Sequence, residues 1–171
     1  MTDTIWAPWR MEFIDGSLEK ETGCIFCNRF SSSESEFAAK HVLWRGPQTL
    51  VMLNKFPYTN AHLLVVSRTH TGNLEDISPE EFSVLIRTVK KASEIIKEEL
   101  NPHGMNIGMN LGSAGGAGIT DHLHWHIVPR WVGDNNFMPV IGDTRVMPQY
   151  LEKTYNRLIV PFQKMNQSSV D

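Results

Sequence analysis

Three of the chain's seven histidines stand at alternate positions in Asp121-His122-Leu123-His124-Trp125-His126-Ile127-Val128-Pro129. Imidazole titrates nearest neutrality, so a histidine can attack as a neutral nitrogen, pass a proton or ligate a metal. Strict alternation with Leu123, Trp125 and Ile127 is a strand signature, because successive strand side chains point to opposite faces. The reading is a strand that turns Leu123, Trp125 and Ile127 into the core and presents the three imidazoles in a row on its other face. Residues i and i+2 of a strand lie roughly 6.5–7 Å apart, whereas histidine nitrogens bind zinc at about 2.0–2.1 Å. Three imidazoles side by side therefore do not easily share one metal, and the spacing favours separate tasks: one reaching a metal, one acting on a substrate, one assisting. The plain alternative is a solvent-facing, histidine-rich strand edge, and three histidines in perfect alternation weigh against it.

Directly before this stretch runs a glycine-rich segment, Gly112 to Gly118, with glycines at 112, 115, 116 and 118 and a hydroxyl on Ser113. Glycines between two strands allow several main-chain N–H groups to turn toward one point and cradle an anion. A flexible hairpin is the alternative, but the segment feeds straight into the histidines, which points to phosphate. The composite is a phosphoryl-transfer device: amides hold the phosphate, one imidazole attacks phosphorus and a second stabilises the oxygens. The only two cysteines, Cys24 and Cys27, form a C-x-x-C pair. In a reducing compartment this is a redox pair or half a zinc site. No strand–helix pattern surrounds it, and the further ligands on offer are His41, His62, His70, His103 and the triplet.

Several elements must position these groups. Val42–Arg45, Thr49–Leu53 and His62–Ser67 read as antiparallel strands, with Gly46-Pro47 and Pro57–Asn60 as turns. Ser78-Pro79-Glu80-Glu81 opens a helix with an N-cap, proline in the first position and acids in the first turn. Phe82, Leu85, Ile86, Val89, Ile95 and Ile96 carry it at helical spacing to Leu100, and Asn101-Pro102 ends it. Gly104–Asn110 alternates as a strand, and Pro148–Leu158 reads as a helix with Tyr150, Leu151, Tyr155 and Leu158 on one face. Ser31–Glu36 leads into a helical turn, an aromatic arm (Trp6, Trp9, Phe13) precedes the cysteines, and residues 167–171 form a frayed tail. The whole, 1–171, reads as one domain, with arm and knuckle over 1–30.

Hydrophobic residues make up 41% of the 171, with no membrane-length apolar run and no signal-peptide pattern at the start, so the expectation is a cytoplasmic protein without a membrane partner. A net charge of −3 argues against nucleic acid as the main partner but not against a small phosphorylated ligand.

His122-Leu123-His124-Trp125-His126-Ile127-Val128 resembles the H-φ-H-φ-H-φ-φ signature of the histidine-triad (HIT) family of nucleotide hydrolases and transferases. Asn54, His62, the strand to Val66, His70 and Pro129-Arg130 extend the likeness over roughly residues 22–131. The run Arg130–Pro139, continuing through Thr144–Pro148, is similar to the bacterial diadenosine tetraphosphate phosphorylase branch. The resemblance implies an α+β fold: an antiparallel sheet of about five strands with a long helix and a C-terminal helix, assembled as a homodimer. It implies His124 as nucleophile on a nucleotide α-phosphate, its other nitrogen oriented by a backbone carbonyl, and His126 on the phosphate bridge. It implies Asn54 on ribose hydroxyls, Met52 and Leu64 flanking the base, and Asn110, Gly112 and Ser113 on the phosphates. Relatives with a C-x-x-C knuckle bind structural zinc, here through Cys24, Cys27, His70 and His122; no organic cofactor is implied. Many relatives carry Gln-Ser or Gln-Thr just before the triad, where this chain has Gly118 and Ile119, so that hydroxyl contact does not transfer and the amides of Gly118 and Ile119 stand in.

The implied reaction is cleavage of diadenosine tetraphosphate through a nucleotidyl-His124 intermediate, with inorganic phosphate as acceptor giving ATP and ADP. Water as acceptor, giving ATP and AMP, is the first alternative, and a nucleotide-binding module with incidental turnover is the second. Removal of adenylate from nucleic-acid ends would call for a basic surface, which the charge does not supply. His62 reads as structural or as a partner of the triad, and His41 and His103 as surface or packing residues.

Overall fold

A computed structural model describes residues 21–134 and 147–165. The aromatic arm, residues 135–146 and the tail 167–171 lie outside the described residues. Five strands, β1 (Val42–Arg45), β2 (Thr49–Leu53), β3 (Leu63–Ser67), β4 (Gly104–Met109) and β5 (His124–Arg130), form one antiparallel sheet in the order β1-β2-β3-β5-β4. The helices are α1 (Ile25–Ser31), α2 (Pro79–Leu100) and α3 (Leu151–Gln163). This is the expected α+β architecture.

Register decides what each face carries. Met52 pairs with Leu64, Leu64 with His126 and His126 with Gly108, while Leu50 pairs with Val66 and Val66 with His124. Paired residues share a face, so His124 and His126 lie on the face that holds Met52, Leu64 and Val66. That face is roofed by α1, whose Phe26 and Phe30 complete an apolar cluster with Val42, Leu50, Met52, Leu64 and Val66. The opposite face carries Val51, Leu53, Leu63, Val65 and Ile127 against Leu85, Val89, Ala92 and Ile96 of α2 and Tyr155, Leu158 and Phe162 of α3. A sheet buried on both faces explains why β2 and β3 are apolar without interruption.

The long helix starts and stops where its sequence signals stand: the Ser78 side chain accepts from the amide of Glu81 at 3.1 Å, and Asn101 closes the end at φ +45°. A 3-10 turn at Glu34–Glu36 carries a capping box with Ser33. Three expectations need correction. α1 was not foreseen, because a seven-residue helix offers little more than one turn of apolar repeat, Phe26 and Phe30. β5 begins at His124, so His122 belongs to the approach to the strand rather than to the strand. The solvent-facing alternative for the histidine stretch is set aside, since His122 and His124 are buried. Finally, the last helix begins at Leu151, after Tyr150, and runs through Pro161 to Gln163. Tyr150 is 64% exposed and its expected place on the apolar face is taken by Thr154 and Phe162.

Candidate active site and metal-ligand cluster

Two groups of side chains meet around the start of β5. The first joins the N-terminal end of α1 to the loops beside the sheet. Cys24 caps the N-terminus of α1 and Cys27 lies on its first turn. His70 follows β3, and His122 precedes β5. Ligand atoms of these four residues all lie within 4.8 Å of one another. The Cys24 sulfur is 3.2 Å from His122 Nδ1, Cys27 is 3.4 Å from His70 Nδ1 and 3.7 Å from His122 Nδ1, and the two Nδ1 atoms are 3.2 Å apart. Tetrahedral zinc with ligands at about 2.0–2.3 Å puts those ligands about 3.3–3.8 Å from one another, so the donor set and its spacing fit that ion.

The surroundings prepare the nitrogens. His122 Nε2–H donates to the Ser67 carbonyl at 2.9 Å, which leaves Nδ1 with its lone pair facing the sulfurs. His70 is fixed through its neighbour: the buried Glu81 carboxylate accepts from the Thr69 amide at 2.9 Å and from its hydroxyl at 2.6 Å. Burial, and then the adjacent Cys24 sulfur, pushes the Cys27 thiol above its ordinary pKa; a dication among the ligands would reverse that.

The second group is made of the imidazoles of His124, His126 and His62. His124 Nδ1–H donates to the main-chain carbonyl of His122 at 2.8 Å. A neutral ring with its proton on Nδ1 carries its lone pair on Nε2, the form that attacks an electrophile. Burial holds the His124 pKa below its ordinary value, which keeps that lone pair available at neutral pH. The Phe26 ring rests against both His122 and His124, with centroids at 5.3 and 4.9 Å.

His126 has the opposite tautomer. The amide of Tyr58 donates to His62 Nδ1 at 3.1 Å, and Asn54 Nδ2 approaches the same nitrogen at 3.2 Å. His62 is thus an acceptor at Nδ1 and a donor at Nε2, which reaches His126 Nδ1 at 2.9 Å. The His126 proton is then on Nε2, a buried donor with no hydrogen-bond partner among the described residues. Leaving such a donor unsatisfied costs about 1–3 kcal/mol, and an incoming anionic oxygen would recover it. Burial, then repulsion from neighbouring imidazoles, lowers the pKa of His62 to about 3 and of His126 to about 4, so both rings are neutral at pH 7.

The remaining candidates divide. Met52, Leu64 and Ile119 come together in one apolar cluster on the histidine face. Met52 and Leu64 are nearly fully buried within it. Asn54 has its Oδ1 engaged by the amide of Phe56 at 2.9 Å, so in this structure its amide group serves the loop and His62. The strand β4 leaves the ladder after Met109, opposite Trp125, so the glycine loop begins beside His124. The Asn110 side chain spans that loop to the Gly116 carbonyl at 3.2 Å, while Ser113 and Gly118 are exposed. Positive φ at Gly112 (+67°) and Gly116 (+88°) requires glycine-like backbone, and a Cβ at Gly115 would lie 2.3 Å from the Leu111 carbonyl. His103 accepts from the amide of Val132 at 2.9 Å, and His41 stands at φ +57° in the turn before β1; both are structural. Sequence reasoning did not single out Tyr58 or Phe26. Tyr58 reads as a turn residue, and the one available sign was an aromatic side chain inside Pro57–Asn60.

Comparison with known proteins gives a consistent picture. The HIT domain family model matches residues 36–132. An AP-4-A phosphorylase of Mycobacterium tuberculosis is 36% identical over 157 residues, covering 88% of this chain and 79% of the relative. A bis(5'-nucleosyl)-tetraphosphatase (asymmetrical) of Schizosaccharomyces pombe is 29% identical over 93 residues, covering 54% of this chain and 50% of the relative. Among solved structures, a zinc-bound histidine triad family protein from Mycobacterium smegmatis is similar with a TM-score of 0.64 and 26% identity, covering 83% of this chain and 94% of the other.

Proposed function

Since the chain belongs to the HIT domain family, we propose that it cleaves dinucleoside polyphosphates by transferring a nucleotidyl group to His124 and on to inorganic phosphate. The observation that carries this reading is the hydrogen bond from His124 Nδ1 to the His122 carbonyl, which leaves Nε2 as a nucleophile. With diadenosine tetraphosphate, the Nε2 lone pair forms a bond to the α-phosphorus of one adenylyl end. The bond from that phosphorus to the bridging oxygen breaks, and ATP leaves with the electron pair. Attack converts a neutral ring to a cationic one, and the His122 carbonyl faces the N–H where that charge develops. His126 Nε2–H donates to the departing bridge oxygen and stabilises its charge. In the second half, a phosphate oxygen attacks the same phosphorus, the P–N bond breaks, its electrons return to Nε2 and ADP is released.

Phosphate as acceptor is supported by the 36% identity to a phosphorylase over most of the chain. The same site with water as acceptor gives ATP and AMP, and the tetraphosphatase relative supports that second reading. The loop from Asn110 through Ile119 supplies main-chain amides for the phosphates, with the Ser113 hydroxyl beside them; Met52 and Leu64 flank the base and Asn54 takes the ribose. In this reading Asn54 exchanges its contact with His62 for the sugar. Cys24, Cys27, His70 and His122 hold zinc, which when bound supplies a structural tie between α1 and the approach to β5. The chain assembles as a homodimer. No helix among the described residues is long and apolar enough to cross a membrane.

The test is product analysis by chromatography after incubation with diadenosine tetraphosphate, with and without phosphate. ATP plus ADP formed only with phosphate is expected. AMP produced irrespective of phosphate would replace phosphorolysis with hydrolysis, and no turnover in either arm would reject both.

A further inference from the structure

We propose that His62, set by the main-chain amide of Tyr58, is a positioning residue that fixes the proton of His126 on Nε2; the catalytic consequence rests on the reading of His126 given above. The direction of the relay follows from its first member. A peptide N–H can only donate, so His62 Nδ1 must accept at 3.1 Å. The carboxamide of Asn54 confirms the polarity, because its Oδ1 accepts from the Phe56 amide, which leaves Nδ2 as the group facing His62 at 3.2 Å. Two donors thus point at one nitrogen, and the single proton of the neutral His62 ring goes to Nε2.

The opposite register is excluded at both links. A proton on His126 Nδ1 would face His62 Nε2–H across 2.9 Å, donor against donor. Moving the His62 proton to Nδ1 to relieve that clash would set it against the Tyr58 amide and the Asn54 amide group. Protonating either ring to an imidazolium creates the same opposition. One main-chain amide therefore decides which nitrogen of a ring two links away can donate to a leaving group.

The relay is also held as a rigid body. The Tyr58 ring lies 4.6 Å from His62 and is stacked on His126 at 5.9 Å with an interplanar angle of 19°. Thr59 Oγ1 donates to the Pro129 carbonyl at 2.8 Å, which ties the loop carrying Tyr58 to the strand carrying His126. Asn60 Oδ1 accepts from Thr154 at 3.0 Å, tying the same loop to α3. His62 itself is fully buried, so water does not compete for its nitrogens.

The experiment compares wild type, His62→Gln and His62→Leu by long-range 1H–15N NMR of the imidazoles and by steady-state kinetics on diadenosine tetraphosphate with phosphate. Glutamine can accept from the Tyr58 amide through Oε1 and donate to His126 through Nε2; leucine can do neither. Wild type and His62→Gln are expected to show His126 protonated at Nε2 alone, with kcat agreeing within about threefold. His62→Leu is expected to show mixed tautomers and a kcat lower by about 10- to 100-fold, with KM little changed. A wild-type His126 protonated at Nδ1 would overturn the proposal. So would a His62→Leu protein that keeps wild-type tautomer and kcat, or a His62→Gln protein with wild-type melting temperature whose kcat falls as far as that of His62→Leu. If wild type does not turn over the substrate, the proposed reaction fails, while the 15N spectra still decide the relay.

Discussion

The main-chain carbonyl of His122 accepts the Nδ1–H of His124 at 2.8 Å, while the side chain of the same His122 faces Cys24 at 3.2 Å. One residue thus serves both clusters, its imidazole lying in the Cys/His group and its carbonyl orienting His124, the proposed nucleophile. The two functions are not separable by mutation of His122, but each can be disturbed from the outside.

Metal content tests the first function. Cys24→Ser or Cys27→Ser is expected to lose about one equivalent of zinc per chain by elemental analysis, and to lower the melting temperature, since a structural site contributes to folding. Unchanged metal content in both variants would reject the four-ligand site.

Phe26 is the packing element between the clusters, in contact with both His122 and His124 and without exposed surface. Phe26→Ala is expected to destabilise the protein by about 3–5 kcal/mol in denaturant titration, the usual cost of emptying a buried aromatic site. Phe26→Leu keeps most of the volume but loses the edge and tilted ring contacts, and its kcat is expected to fall with little loss of stability. A Phe26→Leu protein with unaltered kcat would show that the ring packs without orienting His124.

Acid sensitivity follows from His62. Its pKa is about 3 in the fold, lowered first by burial, against an ordinary value of 6.5. The unfolded chain binds this proton as pH falls below about 6.5 and the folded protein does not, so the stabilising contribution is complete above that pH. It is lost progressively as pH drops toward about 3. Between those limits the buried imidazole contributes a slope of about 1.4 kcal/mol per pH unit. Unfolding free energies measured from pH 7.5 to pH 5 are expected to fall less steeply in His62→Gln than in wild type. Parallel curves would contradict the neutral, buried state of His62.

How far the sequence revealed this arrangement depends on how local each signal is. The long helix is legible because its cap, its proline and its apolar repeat all lie within the chain segment they describe. The strands follow from period; spacing makes separate tasks for His122 and His124 possible, while which of them faces the cysteines comes only from the family resemblance. The helix carrying Phe26 was not legible, since seven residues give little period and its roofing of the histidine face depends on contacts some 98 residues away. That His62 partners the triad is one of its two readings, but which histidine it meets is not legible, since its bond to His126 spans 64 residues and depends on the pairing of β3 with β5. Tautomers are further removed from sequence: they are set by the Ser67 and His122 carbonyls and the Tyr58 amide, which are side-chain-blind groups that only the fold brings into place.

The central claim, a nucleotidyl group carried on His124, is tested most directly by intact-mass analysis of the protein quenched in acid-free denaturant during reaction with diadenosine tetraphosphate without phosphate. Wild type is expected to gain one adenylyl group, localised to His124 by peptide mapping and discharged as ADP when phosphate is added. His124→Ala is expected to gain none and to lose turnover. Turnover by wild type with no adduct, or by His124→Ala at the wild-type rate, would contradict the account.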